Sequence, residues 1–172
     1  MKKTLVLGLG NELYGDDGVG IHIIQKLEEE KEKGHDKNHS LFQDIQLEAC
    51  PLTGLSLLEI IAGYDNVIIV DTIKRENPVT GKFYVLEGSE LRPIPGPSPH
   101  YVSIPQAIDI GKQIGLHVPT DIKIVAVESK NLYNLGEGLT PEMEKSIPKI
   151  ITLIKKLLSG DQYNGKKRST RS

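Results

Sequence analysis

The sequence has a single cysteine, Cys50, and no long apolar run. One cysteine excludes an internal disulfide framework and any zinc or iron–sulfur site built from cysteines, and it agrees with a reducing cytosol. Apolar runs such as residues 67–70 are far shorter than the roughly 20 residues that cross a bilayer. Residues 1–4 lack the apolar stretch that opens a signal peptide. We therefore expect a cytoplasmic protein that does not enter a membrane.

A strong charge of either sign is also missing. The 172 residues carry 21 lysines and arginines against 23 aspartates and glutamates, a net charge of −2. The last twelve residues hold four basic side chains and one acidic one, so the remainder has 17 basic and 22 acidic side chains, or −5. An acidic body disfavours nucleic acid as a partner. We expect residues 1–160 to form one domain and residues 161–172 to be a disordered, solvated tail, with an anion-binding arm as the alternative reading of the tail.

Strand and helix patterns alternate along the body. Short apolar runs predict strands at residues 4–9, 45–49, 67–70, 82–86 and 122–127, and helical spacing predicts helices from residue 18, at 55–61, at 103–114 and from 140 to 158. This order indicates an α/β fold, a three-layer α/β/α sandwich with a mainly parallel five-stranded sheet. The proline-rich residues 93–100 are predicted to be a non-helical loop, and Pro148 is predicted to kink or divide the last helix. In such folds ligands bind beyond the carboxyl ends of the strands.

The loop after the first strand begins like two nucleotide-binding motifs and matches neither. Gly8 and Gly10 start a dinucleotide fingerprint, but Leu13 occupies the third glycine position, where it would crowd the helix against the strand. Gly10 and Gly15 have the spacing of a phosphate loop, but two aspartates follow where lysine and a hydroxyl residue are required. Paired carboxylates at the start of a helix repel phosphate and suit a cation.

Three acidic residues and one histidine are candidates for chemistry. Asp16 or Asp17 could simply cap the helix, and Asp71 could simply bind turn amides after its strand, but one cap accounts for only one of two adjacent aspartates. His100 follows the fourth strand, at the edge where Asp17 and Asp71 also emerge. Two carboxylates and an imidazole from three loops make a candidate site for a divalent metal. The other histidines and the thiol are interpreted as structural or solvated: His22, His35, His39, His117 and Cys50.

Residues 6–20, VLGLGNELYGDDGVG, closely resemble the N-terminal signature of the hydrogenase maturation endopeptidases. Further pieces occur in the family's order and at similar spacing, namely residues 53–54, 70–72, 98–100 and 138–141. The resemblance extends over about residues 4–158, nearly the whole body. The combination of pieces is far more specific than any one of them.

The resemblance implies a peptidase of phosphorylase/hydrolase-like fold that removes a C-terminal extension from the large-subunit precursor of a nickel–iron hydrogenase after nickel insertion. The family's metal-coordinating trio then corresponds to Asp17, Asp71 and His100. The nickel would be supplied by the precursor, with another divalent metal able to occupy the site in isolation. Either a carboxylate activates water, as in aspartic-type peptidases, or the metal polarises the scissile carbonyl. Gly10, Asn11 and Asp16 would orient the peptide.

Two other functions remain open at this level. A peptidyl-tRNA hydrolase also opens with Gly-Leu-Gly-Asn, but it continues with Pro-Gly, where this chain has Glu12 and Leu13. A non-catalytic nickel-binding assembly factor would use the same three ligands as the peptidase. We expect a monomer, because the sequence pattern indicates no exposed apolar seam.

Overall fold

The computed structural model describes residues 2–33, 41–51, 56–88, 99–136 and 138–160, and for residues 99–103 it describes the backbone only. The predicted tail, His35 and His39 lie outside the described residues. Within these residues, the chain forms five strands and four α-helices in the order β1 (Thr4–Leu9), α1 (Val19–Lys33), β2 (Ile45–Cys50), α2 (Ser56–Ile61), β3 (Asn66–Ile73), β4 (Phe83–Glu87), α3 (Pro99–Gln113), β5 (Asp121–Glu128) and α4 (Pro141–Leu158). A short 3₁₀ turn, Gly15–Gly18, precedes α1.

The strands form one sheet in the order β2-β1-β3-β5-β4. All neighbours are parallel except β4, which runs antiparallel to β5. The predicted α/β fold with a mainly parallel five-stranded sheet is therefore confirmed. Among the described helices, none combines the length and apolarity that a membrane crossing requires.

Successive side chains along each strand point to opposite faces of the sheet and so belong to two separate cores. In β1, Val6 faces the layer formed by α1 and α4, whereas Leu5 and Leu7 face the layer formed by α2 and α3. The same alternation continues in β3, where Ile68 and Val70 lie on the α1/α4 side. Both faces of the sheet are covered, as a parallel sheet requires.

Helix α1 approaches the sheet closely because a glycine lies at the contact. A Cβ atom on Gly20 would come within 2.4 Å of the carbonyl oxygen of Leu9 and 2.8 Å of that of Val70. Only glycine permits this approach. The N-terminal end of α1 is thereby held against the carboxyl ends of β1 and β3.

Helix α4 begins as its sequence predicts. Thr140 is the N-cap, its hydroxyl oxygen accepts a hydrogen bond from the amide of Met143 at 3.3 Å, and Pro141 occupies the first turn. Of the two effects predicted for Pro148, division of the helix is wrong, because α4 runs unbroken through it, and the kink stays a prediction. Its apolar stripe packs on the sheet as predicted, through Met143, Ile147, Ile150, Ile151 and Ile154.

Two other boundaries differ from the prediction. β3 continues to Ile73 and does not end at Asp71, because residues 71–73 pair with β5. α3 begins at Pro99, so His100 lies in its first helical turn and not in a non-helical loop. Proline is compatible with the first turn of a helix, because backbone N–H groups there have no acceptor within the helix.

Candidate functional site

The carboxyl ends of β1 and β3 form a crevice where the chain connections diverge. From β1 the chain passes through α1 to β2 on one side, and from β3 it passes to β4 and β5 on the other. The last residue of β3 that pairs with β1 is Val70, so residues 71–73 pair with β5 alone. Parallel α/β sheets bind their ligands at such a switch point.

Asp17 lies at this crevice, in the 3₁₀ turn between β1 and α1. Its Oδ2 accepts a hydrogen bond of 2.9 Å from the backbone amide of Asn11, and its Oδ1 accepts one of 2.8 Å from the hydroxyl of Thr72. Both donors lie outside α1, so Asp17 is placed by tertiary contacts and does not serve as a simple helix cap. The side chain is partly exposed. A carboxylate has about four lone-pair positions, so two of them are not used by hydrogen bonds from the described residues and can accept a cation, a water or a peptide.

Asp71 lies on β3 and is fully buried. Its Oδ1 accepts a hydrogen bond of 2.8 Å from the backbone amide of Thr72. By strand alternation, Asp71 shares the α2/α3 side of the sheet with Ile69 and Ile73, whereas Thr72 faces the side of α1. Thr72 therefore joins the two candidate carboxylates, with its hydroxyl on Asp17 and its amide on Asp71.

Thr72 is a residue of the candidate site that sequence reasoning missed. It stands inside the recognised 70–72 segment, but nothing local shows that its hydroxyl reaches Asp17, which is 55 positions away. The available signal is the strand alternation, which places a hydroxyl and a carboxylate on opposite faces at adjacent positions.

Asp16, adjacent to Asp17, is also fully buried, but its carboxylate binds other parts of the fold. Its Oδ2 accepts hydrogen bonds from the hydroxyl of Ser129 at 2.6 Å and from that of Thr140 at 3.0 Å, and its Oδ1 accepts one from the amide of Thr140 at 2.7 Å. The sequence placed Asp16 among residues that orient substrate. In the structure its carboxylate joins the 3₁₀ turn to the end of β5 and the start of α4.

The other two residues predicted to orient substrate, Gly10 and Asn11, lie beside Asp17. Gly10 has φ +139°, and a Cβ atom there would come within 1.9 Å of the carbonyl oxygen of Asp17. The amide of Asn11 is occupied by Asp17, and its side-chain oxygen accepts a hydrogen bond of 3.0 Å from the amide of Leu13. Leu13 itself is exposed.

The structure describes His100, the third residue of the predicted trio, only at the level of its backbone. It lies in the first turn of α3, one turn before Ile104, which is fully buried against the α2/α3 side of the sheet. Its side chain is outside the described part of the structure. Within the described residues, no group of three or more histidine, cysteine, aspartate or glutamate side chains is placed to hold a metal ion.

The remaining candidates lie outside the crevice or make structural contacts. His22 lies 3.9 Å from a carboxylate oxygen of Glu12 and is partly exposed. His117 lies 3.0 Å from Asp65, at the opposite end of the sheet, where the parallel strands begin. Cys50 is buried, as predicted for a structural thiol.

The pKa of Asp65 is held below its ordinary value. The main cause is the hydrogen bond that its carboxylate accepts from the backbone amide of Lys3 at 2.8 Å, and the hydrogen bond with His117 adds to it.

Two cavities, of about 290 and 240 Å³, are lined in part by Asp121 and lie at the end of the sheet where the parallel strands begin. Neither includes Asp17 or Asp71.

A family model matches most of the chain. Residues 21–157 match the family model described as "HycI: Hydrogenase maturation protease". The match starts just after the 3₁₀ turn, so Asp17 precedes it and Asp71 and His100 lie within it.

Individual relatives give the same result. The chain is 26% identical over 147 residues to the Hydrogenase 2 maturation protease of Escherichia coli strain K12, covering 84% of each chain. The solved structure of the hydrogenase maturating endopeptidase HybD from E. coli superposes with a TM-score of 0.71 at 23% identity, covering 92% of this chain and 93% of that one. HybD from Thermococcus kodakarensis gives a TM-score of 0.68 at 20% identity, covering 91% and 99%.

These findings decide between the functions that the sequence left open, since neither a peptidyl-tRNA hydrolase nor a non-catalytic factor is a maturation protease. With the family model matching well over half of its length, the chain belongs to the hydrogenase maturation protease family, and it is a hydrolase of the endopeptidase class.

Proposed function

We propose that this endopeptidase removes the C-terminal extension of a nickel–iron hydrogenase large-subunit precursor after nickel insertion, and that Asp17, Asp71 and His100 form its site. The observation that supports this most is the pair of carboxylates bound to Thr72 at the crevice between β1 and β3. The crevice is where this fold class binds ligands, and the chain belongs to a family of maturation proteases.

The two carboxylates have different roles because their exposure differs. Asp17 is partly exposed and keeps free acceptor positions, so it meets the substrate, either as a ligand of the precursor's nickel or as the base that takes a proton from water. Asp71 is buried on the α2/α3 side of the sheet, opposite to the side from which Asp17 approaches β3. A group placed at the end of β3 therefore has Asp17 on one side and Asp71 on the other.

Position 100 agrees with this arrangement. It lies one turn before Ile104 on α3, and positions four apart share one face of a helix. Ile104 faces the same side of the sheet as the neighbours of Asp71. Nickel binds imidazole and carboxylate ligands. In the absence of the precursor, the protein would bind another divalent metal through the same groups.

The test is mass spectrometry of large-subunit precursors with and without nickel after incubation with the protein. Every large-subunit precursor encoded in the same genome is included, because the cognate hydrogenase is not fixed by the geometry. We expect loss of a C-terminal peptide from one nickel-loaded precursor and not from its nickel-free form. Absence of any cleavage with nickel present would overturn the proposal.

Variants test the three residues separately. We expect Asp17→Asn, Asp71→Asn and His100→Ala each to lower the rate at least about a hundredfold, the scale of a lost acid–base group. His117→Ala, at the opposite edge, is the matched histidine control and should retain the rate. Undiminished processing by His100→Ala would remove that residue from the site.

A further inference from the structure

Four large apolar side chains are exposed beside the crevice. We call them the apolar rim: Leu13 is 62% exposed, Tyr14 37%, Tyr133 61% and Leu135 71%. They belong to two loops, one after β1 and one after β5. The sequence indicated no exposed apolar seam, because these residues follow no strand or helix period and are divided between loops about 120 positions apart.

The two loops are joined to each other. Tyr14 and Leu135 form an antiparallel β-bridge, and the amide of Gly136 donates a 2.9 Å hydrogen bond to the carbonyl oxygen of Leu13. Two residues after Tyr14, the amide of Asp16 donates a 3.0 Å hydrogen bond to the carbonyl oxygen of Asn131. The rim is therefore one surface.

The backbone of the rim is also held in place before any partner binds. Asn11 accepts hydrogen bonds from Leu13 through its side chain and from Tyr14 through its carbonyl oxygen, at 3.0 and 3.1 Å. A preorganised apolar surface loses little conformational entropy on binding. Exposed apolar side chains in a rigid cluster are typical of a protein-binding site.

The rim is continuous with the catalytic side of the molecule. Asn11, which holds Leu13 and Tyr14, also donates its amide to Asp17 at 2.9 Å. A polypeptide that brings a peptide bond to Asp17 is therefore placed next to the loop that carries Leu13 and Tyr14. The rim side chains are uncharged and the body is acidic, which favours an apolar segment of a protein over an anionic partner.

We propose that the apolar rim docks an apolar segment of the precursor protein, next to its scissile bond. The inference rests on the proposed function, because it takes the substrate of the crevice to be a protein. The rim then supplies binding affinity, while the carboxylates at the crevice carry out the cleavage.

A matched pair of double variants tests the proposal. Leu13→Ser/Leu135→Ser removes two rim side chains without altering the backbone hydrogen bonds of Leu13. Ile110→Ser/Ile114→Ser is the control, since these residues are 40% and 65% exposed near the C-terminal end of α3. Their exposure means that all four substitutions should leave the thermal transition nearly unchanged, which thermal melts would verify.

The readouts are KM and kcat for cleavage of the nickel-loaded precursor, and the Kd of the same precursor measured by calorimetry with each variant. We expect the rim variant to raise KM and Kd about tenfold to a hundredfold, with kcat within about twofold of wild type. The control variant should match wild type in all three. Wild-type KM and Kd in the rim variant would overturn the inference and leave the proposed function intact.

The remaining outcomes are equally decisive. If the wild-type protein binds the precursor without cutting it, the proposed function fails, and the rim is judged by the Kd values alone. If the wild-type protein does not bind the precursor, both fail. If the rim variant converts a dimer to a monomer in sedimentation while KM is unchanged, the rim is a contact between copies of this chain and the inference is wrong.

Discussion

The hydroxyl of Thr72 donates a 2.8 Å hydrogen bond to Oδ1 of Asp17, a residue 55 positions earlier in the chain. The amide of the same threonine donates to Asp71, also at 2.8 Å. The two carboxylates reach the end of β3 from opposite faces of the sheet, and Thr72 is the group that both contact. Part of the placement of both carboxylates thus depends on one residue of β3.

Replacing Thr72 by valine should therefore impair cleavage without unfolding the protein. Valine has the same shape but no hydroxyl, and the backbone bond to Asp71 is retained, so only Oδ1 of Asp17 loses its donor. A hydrogen bond to a charged group contributes about 1.5–3 kcal/mol, which predicts a kcat/KM roughly tenfold to a hundredfold lower. Thr72→Ser keeps the hydroxyl and should restore most of the rate. Equal rates for the valine variant and wild type, measured by precursor cleavage, would show that the hydroxyl does not position Asp17.

Asp16 should matter for stability more than for substrate binding. Asp16→Ala leaves the hydroxyl of Ser129 and both donors of Thr140 without their buried acceptor. We expect the free energy of unfolding in urea to fall by about 2–4 kcal/mol. Asp109→Ala, at an exposed position on α3, is the control and should change it by less than about 0.5 kcal/mol. A stable Asp16→Ala protein with a raised KM would instead support a role in orienting substrate.

Gly10→Ala should be much more damaging than a substitution at another glycine of positive φ. A methyl group at Gly10 would meet the carbonyl oxygen of Asp17, whereas one at Gly63, where φ is +87°, would meet nothing within 4 Å. Gly63→Ala should cost only the left-handed strain of about 1–2 kcal/mol, with activity retained. Gly10→Ala should lose activity as well, because the loop must move away from Asp17. Urea denaturation and precursor cleavage would be measured on both variants, and similar activities would contradict the expected difference.

Asp65 should make the free energy of unfolding depend on pH. Its pKa in the folded protein lies below the ordinary 3.8, first because of the hydrogen bond from Lys3 and then because of the one with His117. The ionised carboxylate is favoured by folding, so its contribution is complete above the unfolded-state pKa and is lost as the pH falls through the lower folded-state pKa. The stability difference between wild type and Asp65→Asn should shrink as the pH falls below about 4. Asp44→Asn, at an exposed site, is the control for urea denaturation across this range. A difference that grows as the pH falls below about 4 would contradict the assignment.

Local features of the fold could be read from the sequence because their causes are local. Apolar runs and their alternation located all five strands, and the Thr140–Pro141 pair located the start of α4. The start of α3 was missed because prolines were read as helix breakers, whereas Pro99 occupies a first turn that tolerates proline. The end of β3 was missed because Asp71 was read as a turn residue, although its strand continues beside β5.

The sequence by itself determined the fold class and, through its resemblance to a known family, the maturation protease function, since periodicity and motif spacing are properties of neighbouring residues. The tertiary structure decided how the two adjacent aspartates differ. Asp17 accepts hydrogen bonds from Asn11 and Thr72 at the crevice. Asp16 is buried and accepts hydrogen bonds from Ser129 and Thr140, which are 113 and 124 positions away. The apolar rim likewise exists only because the loops after β1 and β5 meet. Contacts of this range depend on how the strands are ordered in the sheet, and neither composition nor spacing along the chain encodes that order in a readable form.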